Sequence, residues 1–217
     1  MRSLNLLAIT FLLTFTLSCK TKGPQTEDQT VTEQKKELTT KIGKNKYEIK
    51  SGIVEYKTQT MGTDVVQTLY FEDYGAKEAN EIIMEIAGIK SNTRSITKDG
   101  YMYNLDLTTK TGTKTKTFAA SGADINFSEL TDEMVKRMNL KKIGSEDFAG
   151  KTCDKYTIDY TDLSMKGSFL VWKGVPLKSE VDLSTIHTTM VAKNFQENAD
   201  VPAEKFEIPT DFNITEQ

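Results

Sequence analysis

Few residues in this chain have the means for covalent or acid–base chemistry. There are two cysteines, Cys19 and Cys153, and one histidine, His187. A thiol reacts when a nearby cation or helix N-terminus lowers its pKa. Cys153 lies in Lys-Thr-Cys-Asp-Lys-Tyr, a strand-like stretch that reads as core, and Cys153 as a small buried residue in it. His187 stands without a second histidine or a cysteine cluster, so it makes a poor metal site. No Gly-x-Ser-x-Gly turn accompanies it, which leaves no Ser-His-Asp arrangement. Walker and Gly-x-Gly-x-x-Gly loops are absent from the sequence. The expectation is a protein that is not an enzyme and needs no cofactor or metal. Cys19 is different in kind, because it sits at a boundary. Arg2 supplies a positive charge, Leu4 to Leu17 is mostly apolar, and Lys20, Thr21 and Lys22 follow the cysteine. A charged start, about 7–15 apolar residues and a small residue before the cut describe a secretory signal peptide. A bilayer-spanning helix takes about 20 apolar residues, more than this run offers.

Thr16-Leu17-Ser18-Cys19 resembles the lipobox of bacterial lipoproteins, in the relaxed form of Bacteroidetes-type bacteria. It departs from the usual pattern at the two positions before Ser18. The resemblance implies that residues 1–18 are removed and that Cys19 carries the lipid and holds the chain on a membrane. The alternative is an ordinary secretion signal with a chance cysteine. At about 0.8 kcal/mol per buried methylene, one acyl chain holds marginally and two or more hold firmly. No acidic patch follows Cys19, which by the same resemblance favours a chain facing the periplasm; the expected location is the outer membrane. If Cys19 is acylated, Cys153 has no partner in the chain for a disulfide.

The 28 basic and 31 acidic residues are dispersed, for a net charge of −3. That argues against nucleic acid, whose phosphates call for a concentrated basic face. Residues 19–45 are polar and poor in aromatics, a tether from lipid to domain. Residues 46–212 then suit one domain with one core.

From Tyr47 the pattern is β. Tyr47–Thr60 and Val65–Glu72 flank Met61-Gly62-Thr63-Asp64 as a hairpin. Ala76–Ala87 fits a strand better than a helix. Asp99-Gly100 is the strongest hairpin signal, and Tyr101–Thr108 alternates as a half-buried strand. Lys110–Lys116 reads as an exposed turn. Ser128–Leu140 is the best helix, with Leu130, Met134 and Met138 on one stripe and Ser128 as its cap. Five more strands follow up to Phe195. Nine to eleven short strands and one helix predict a mainly β fold: a strongly curved antiparallel sheet, or half-open barrel, with a helical lid.

Phe148-Ala149-Gly150-Lys151-Thr152-Cys153-Asp154-Lys155-Tyr156 and Trp172-Lys173-Gly174-Val175-Pro176-Leu177-Lys178 are similar to the C-terminal half of envelope proteins with the LolA-like fold. The first half fits more loosely, through Tyr70–Gly75 and Asp99–Tyr103. The resemblance implies a half-barrel with a lid, several members of which hold lipid or lipoprotein acyl chains in the concave face. Its motifs are structural, and fold does not settle function. The candidate lining is Tyr101, Tyr103, Leu105, Phe169, Val171, Leu177, Val181, Met190 and Val191, with Met134 and Met138 from the lid. Two readings remain: these residues fill the core, or they line a cavity for an acyl chain. The expected partners are accordingly a membrane through Cys19 and either an acyl chain in the cavity or another envelope protein at the surface.

Overall fold

The computed structural model describes residues 45–116 and 125–217. The predicted signal, Cys19, the tether up to residue 44 and the break near Ala120–Asp124 lie outside them. Among the described residues twelve strands form a single sheet. A first meander runs through β1 (Gly52–Thr60), β2 (Thr63–Glu72), β3 (Lys77–Ile86), β4 (Ile89–Lys98), β5 (Tyr101–Asp106) and β6 (Thr111–Lys116). A helix, α1 (Asp132–Arg137), precedes a second meander of β7 (Lys141–Phe148), β8 (Lys151–Tyr160), β9 (Met165–Trp172), β10 (Val175–Leu183) and β11 (Ile186–Glu197). β11 pairs antiparallel with β1 and joins the two meanders. The last strand, β12 (Asn213–Glu216), lies parallel to β6 at the far edge. The sheet thus runs on past residue 212, where the sequence put the end of the domain.

The hairpins follow from local turn chemistry. Asp99 and Gly100 have φ of 52° and 77°, the left-handed pair of a type I′ turn. The same positive pair recurs at Met61-Gly62, Ala87-Gly88, Ala149-Gly150 and Lys173-Gly174. Irregularities in register interrupt β11 against β1, β10 against β9 and β7 against β8. Each extra residue bends and twists its strand.

The sheet is rolled. Met102 of β5 and Pro176 of β10 border one hollow, although six strand spacings separate them in the strand order. On a flat sheet they would stand about 29 Å apart. The fold class expected from sequence, a curved antiparallel sheet with one helix against it, is therefore observed, with twelve strands instead of nine to eleven.

Three expectations need correction. Lys110–Lys116 is not a turn; Thr111–Lys116 forms β6. Its Thr-Gly-Thr-Lys-Thr-Lys sequence has no apolar alternation, and only the β-branched Thr111, Thr113 and Thr115 favour a strand. It pairs because Gly112 leaves room for its neighbours: a Cβ there would stand 2.8 Å from Leu105 Cδ2 and 3.1 Å from Ile214 Cδ1. Second, the helix is six residues long and Thr131 caps it, accepting from Met134 N at 3.2 Å. Ser128 instead donates to Lys46 O at 2.8 Å, and its own N–H bonds Asn126 Oδ1. The Asn126 side chain offers the backbone a turn that competes with helix at that point. Third, β1 starts at Gly52; Asn45–Ser51 is an irregular lead-in.

Strand register sorts side chains into two faces. The inner face carries Val54 and Tyr56 of β1, with Gln67 and Leu69 opposite on β2. At the β8–β9 end, Ile125, Phe127, Leu130, Val135 and Met138 fill it against Tyr156, Ile158 and Val171. In the middle, Tyr47 and Ile49 of the lead-in pack with Val54, Tyr56 and Phe71. On the opposite, outer face, Ala79, Ile96 and Leu105 are covered by Val201 and Phe206 of the segment that follows β11. Burying a large apolar side chain contributes about 1.5–3 kcal/mol, so this C-terminal strap is held mainly by apolar contact. Ions assist it: Glu81 meets Arg94 Nη2 at 2.5 Å and Lys205 Nζ at 3.0 Å, and Arg94 Nη1 donates to Glu204 O.

Candidate functional site

The part of the inner face left uncovered is a trough over β2–β6 and β12. Its composition follows from the register. Asn80 pairs with Ser95 and Ser95 with Asn104; Glu78 pairs with Thr97 and Thr97 with Met102. Asn104 lies beside Thr113, and Thr113 beside Thr215. Side chains opposite one another in register share a face, so the trough has a mixed lining, with short hydroxyls and amides set among Ile82, Met102 and Asp106, where an apolar lining was expected. Its outer part, bordered by Thr93, Asn104, Thr111, Thr113 and Thr215, encloses about 570 Å³. A deeper part of about 280 Å³ reaches toward β1 and β10 and adds Leu69, Ile125 and Met190. Ser95 borders both.

The charged groups near the trough are engaged. Glu78 accepts from Lys46 Nζ at 2.5 Å and from the Tyr47 hydroxyl. Burial first, and then the charge of Glu78, push the Tyr56 phenol far above its ordinary value. It stays protonated and donates to Pro176 O at 2.9 Å. Asp106 accepts from the backbone N–H groups of Thr109 and Thr108, which hold its carboxyl below the usual range. One atom beside the trough is not engaged: Asn80 Oδ1 is buried at the deeper hollow with no hydrogen-bond partner among the described residues. An unsatisfied buried acceptor costs roughly 1–3 kcal/mol. A donor group supplied by water or a ligand would recover that cost.

The structure scatters the residues predicted to line a cavity. Tyr101, Tyr103 and Leu105 alternate with the inward Met102 and Asn104, so they face outward. Leu105 is buried beneath the C-terminal strap and Tyr103 packs beside it. Val191 lies between Lys57 and Lys178, also on the outer face. Met138 and Val171 are buried under α1, and Met134, Phe169 and Val181 pack against them; these five come together as filled core. Leu177 is buried in the central cluster. Met190 borders the deeper hollow, and Leu105, although its side chain is buried on the outer face, belongs to the wall of the outer part. A uniform reading of odd and even positions fails because the apolar face switches. In β8 and β9 it points inward toward α1; in β4 and β5 it points outward toward the strap.

Sequence reasoning missed Asn80, Ser95, Thr97, Asn104 and Thr113. The signal available was the run of alternate hydroxyls in Ser91-Asn92-Thr93-Arg94-Ser95-Ile96-Thr97. Such a run is ordinary on a solvated strand, and only its position inside the roll makes it a lining.

Cys153 is a fully buried free cysteine, its thiol pushed up by burial first and then by the nearby Asp154 and Asp147 carboxylates. His187 bonds Asp182 at 2.7 Å on an exposed strand end. Among the described residues no group of three His, Cys, Asp or Glu side chains is placed to hold a metal ion. No helix among them is long and apolar enough to cross a membrane.

This geometry defines a class, an open rolled sheet with one inner trough. No protein-family model matches the sequence, and no curated protein is significantly similar to it. Solved structures do share its shape. An uncharacterized conserved protein from Thermus thermophilus matches 84% of this chain and 98% of its own, with a TM-score of 0.57 at 10% identity. A chain of the Pseudomonas aeruginosa MucA/MucB complex matches 83% of this chain with a TM-score of 0.52, also at 10% identity. This chain spans 63% of that one. A putative outer membrane lipoprotein-sorting protein domain from Vibrio parahaemolyticus aligns more distantly, over 80% of this chain and 94% of its own, with a TM-score of 0.37 and 9% identity. At these identities the likeness concerns the fold alone.

Proposed function

We propose that this is a lipid-anchored, non-catalytic binding protein of the bacterial envelope that recognises a segment of another envelope protein in the inner trough. The observation that carries the reading is the lining. Uncharged hydroxyls and amides offer donors and acceptors to a main chain, while most of the apolar residues expected to hold an acyl chain are spent on the core. Asn80 Oδ1, buried without a partner among the described residues, supplies one acceptor for such a ligand. The fold likeness to a chain solved in the MucA/MucB complex supports a scaffold that engages protein. The engaged state of Glu78 and Asp106 supports the absence of catalysis. Anchoring rests on the sequence: the lipobox-like Thr16–Cys19 favours a chain held on a membrane, with the outer membrane facing the periplasm as the preferred site.

The test is a photo-crosslinking residue at Thr113 in the native host. A discrete protein adduct, lost when Asn80 and Asn104 become Ala, is expected. Native mass spectrometry of the purified chain showing a co-purified lipid, with no such adduct, overturns the reading. Labelled palmitate incorporation that survives Cys19→Ala overturns the anchor.

A second reading, an acyl chain in the deeper hollow, is favoured by Leu69, Met102, Ile125 and Met190 beside that space. It predicts that a fluorescent fatty acid binds and that Met102→Asp abolishes binding.

A further inference from the structure

The two ends of the rolled sheet differ in chemistry. At one end the connections are Asp73-Tyr74-Gly75, Asp99-Gly100, Ala149-Gly150 and Lys173-Gly174, most of them charged. At the other end lie the β3–β4, β1–β2 and β10–β11 hairpin tips, which come from consecutive strands in the order β4-β3-β2-β1-β11-β10. Their turn residues are Ala87-Gly88, Met61-Gly62 and Ser184-Thr185, without a charge. Around those turns stand apolar side chains left open to solvent: Met61 at 77% exposure, Ile89 at 74%, Ile86 at 54%, Leu183 at 43% and Ile186 at 38%. Leu163, in the β8–β9 connection at the same end, adds 42%. Six adjacent strands cover about 24 Å along the sheet edge, so these side chains follow one another along one rim of the roll. Scattered single apolar residues on a surface call for no explanation, but a contiguous apolar rim marks an interaction site.

From this geometry we infer that the rim of three hairpin tips is a membrane-contact edge that inserts its apolar side chains into the interfacial layer of a lipid bilayer. Three observations favour lipid over a protein partner. The rim is built from jutting hairpin tips, and a bilayer interface receives protruding side chains without a matching shape. The three tip turns themselves carry no charge; the nearest charged residues, Asp64, Glu85, Lys90 and Asp182, stand two positions down the strands. The length of chain outside the described residues brings a membrane within reach. The 26 residues from Lys20 to Asn45 extend at most about 90 Å. The lead-in joins the sheet at the charged end, where Lys46 O lies against Gly174. From there the apolar rim is one strand length away, about 30 Å for nine-residue β1. A domain tethered at one end can therefore lay the other end on the same bilayer, with the trough facing sideways along the membrane surface. The inference uses the lipid anchor of the proposed function only for reach. The trough and the rim are separate surfaces, and each fails or stands without the other.

The test is flotation of the secreted, unacylated chain, made with Cys19→Ser, with vesicles of phosphatidylethanolamine and phosphatidylglycerol. The chain is expected to float with the vesicles. Ile86→Ser with Ile89→Ser, and separately Met61→Ser with Leu183→Ser, should each lower the partition coefficient by about tenfold or more. Tyr74→Ser at the charged end should leave it unchanged. All of these positions are exposed, so the variants are expected to melt with the parent chain, which circular dichroism checks. Flotation that is absent in the parent, or that survives both tip variants, overturns the proposal. So does a concentration-dependent dimer that the tip variants dissolve, since the rim would then be a contact between two copies of the chain.

Discussion

Leu105 and Asn104 are neighbours in β5 and face opposite sides of the sheet. Truncating each to Ala separates two accounts of the strand. Leu105 is 1% exposed and lies among Ala79, Ile96, Val201 and Phe206. Its Cδ2 would stand 2.8 Å from a Cβ at Gly112, so the site is tightly filled. Leu→Ala at a buried site costs about 2–5 kcal/mol, depending on how far the surroundings close in. One wall here is the C-terminal strap, whose regular piece near the site is the 3-10 turn Ala203–Lys205. A wall of that kind can settle into the gap, so a cost of about 3 kcal/mol is expected. Asn104 is exposed on the trough side, and Asn104→Ala should stay within about 0.5 kcal/mol. Urea unfolding followed by the fluorescence of Trp172 reads both values. Partner capture in the trough should respond in the reverse order, weakened by Asn104→Ala and unaffected by Leu105→Ala below its melting range. If Leu105→Ala were neutral for stability, or if it abolished ligand capture in the folded protein, the outward assignment of β5 would be wrong. The switch of apolar face between the two halves of the sheet would fall with it.

Glu81→Gln should destabilise the fold by about 1–3 kcal/mol, because Arg94 and Lys205 keep largely covered charges without their counter-ion. Burial alone would raise the Glu81 carboxyl, but hydrogen bonds and charge from Lys205 and Arg94 outweigh it, so it sits below its ordinary 4.5. A depressed carboxylate contributes stability above its unfolded value and loses it as pH falls through the folded one. The difference between parent and Glu81→Gln should therefore shrink below pH 4.5, and a constant difference on further acidification would contradict it. Gly174 has φ +83°, and a Cβ there would stand 2.5 Å from Lys46 O. Gly174→Ala should cost about 2 kcal/mol or more and speed tryptic cleavage at Lys46 and Lys50, by lifting the lead-in off the β9–β10 turn. Cys153 should resist a thiol-specific disulfide reagent in the native state even above about pH 9, and react only as fast as the chain unfolds. Prompt modification of the folded protein would place the thiol outside the core.

The trough and the rim owe their character to one feature of the chain. Strands β3 to β5 turn buried apolar residues outward, where the C-terminal segment covers them. Strands β8 and β9 turn theirs inward, where α1 and residues 125–130 cover them. The inner face of β3 to β6 is thereby left open, with hydroxyls and amides among its lining.

Sequence alone determined the class of the fold. Left-handed X-Gly pairs set the hairpins, because two adjacent positive φ values permit little else, and alternation in β5, β8 and β9 set the strands between them. It also determined where chemistry is scarce, since one histidine and two cysteines leave few catalytic or metal-binding combinations. Tertiary structure decided which side of each strand is inside. Alternation reveals two faces but not which of them meets a partner, and here the partners are segments far along the chain: residues 199–214 for β3–β6, and residues 125–140 for β8 and β9. It also decided that Thr111–Lys116 is a strand. A stretch with no apolar residue is held there by its ladder to β5 and β12 and by the side chains that close over Gly112, and the register with β12 and the contact with Ile214 come from the far end of the chain.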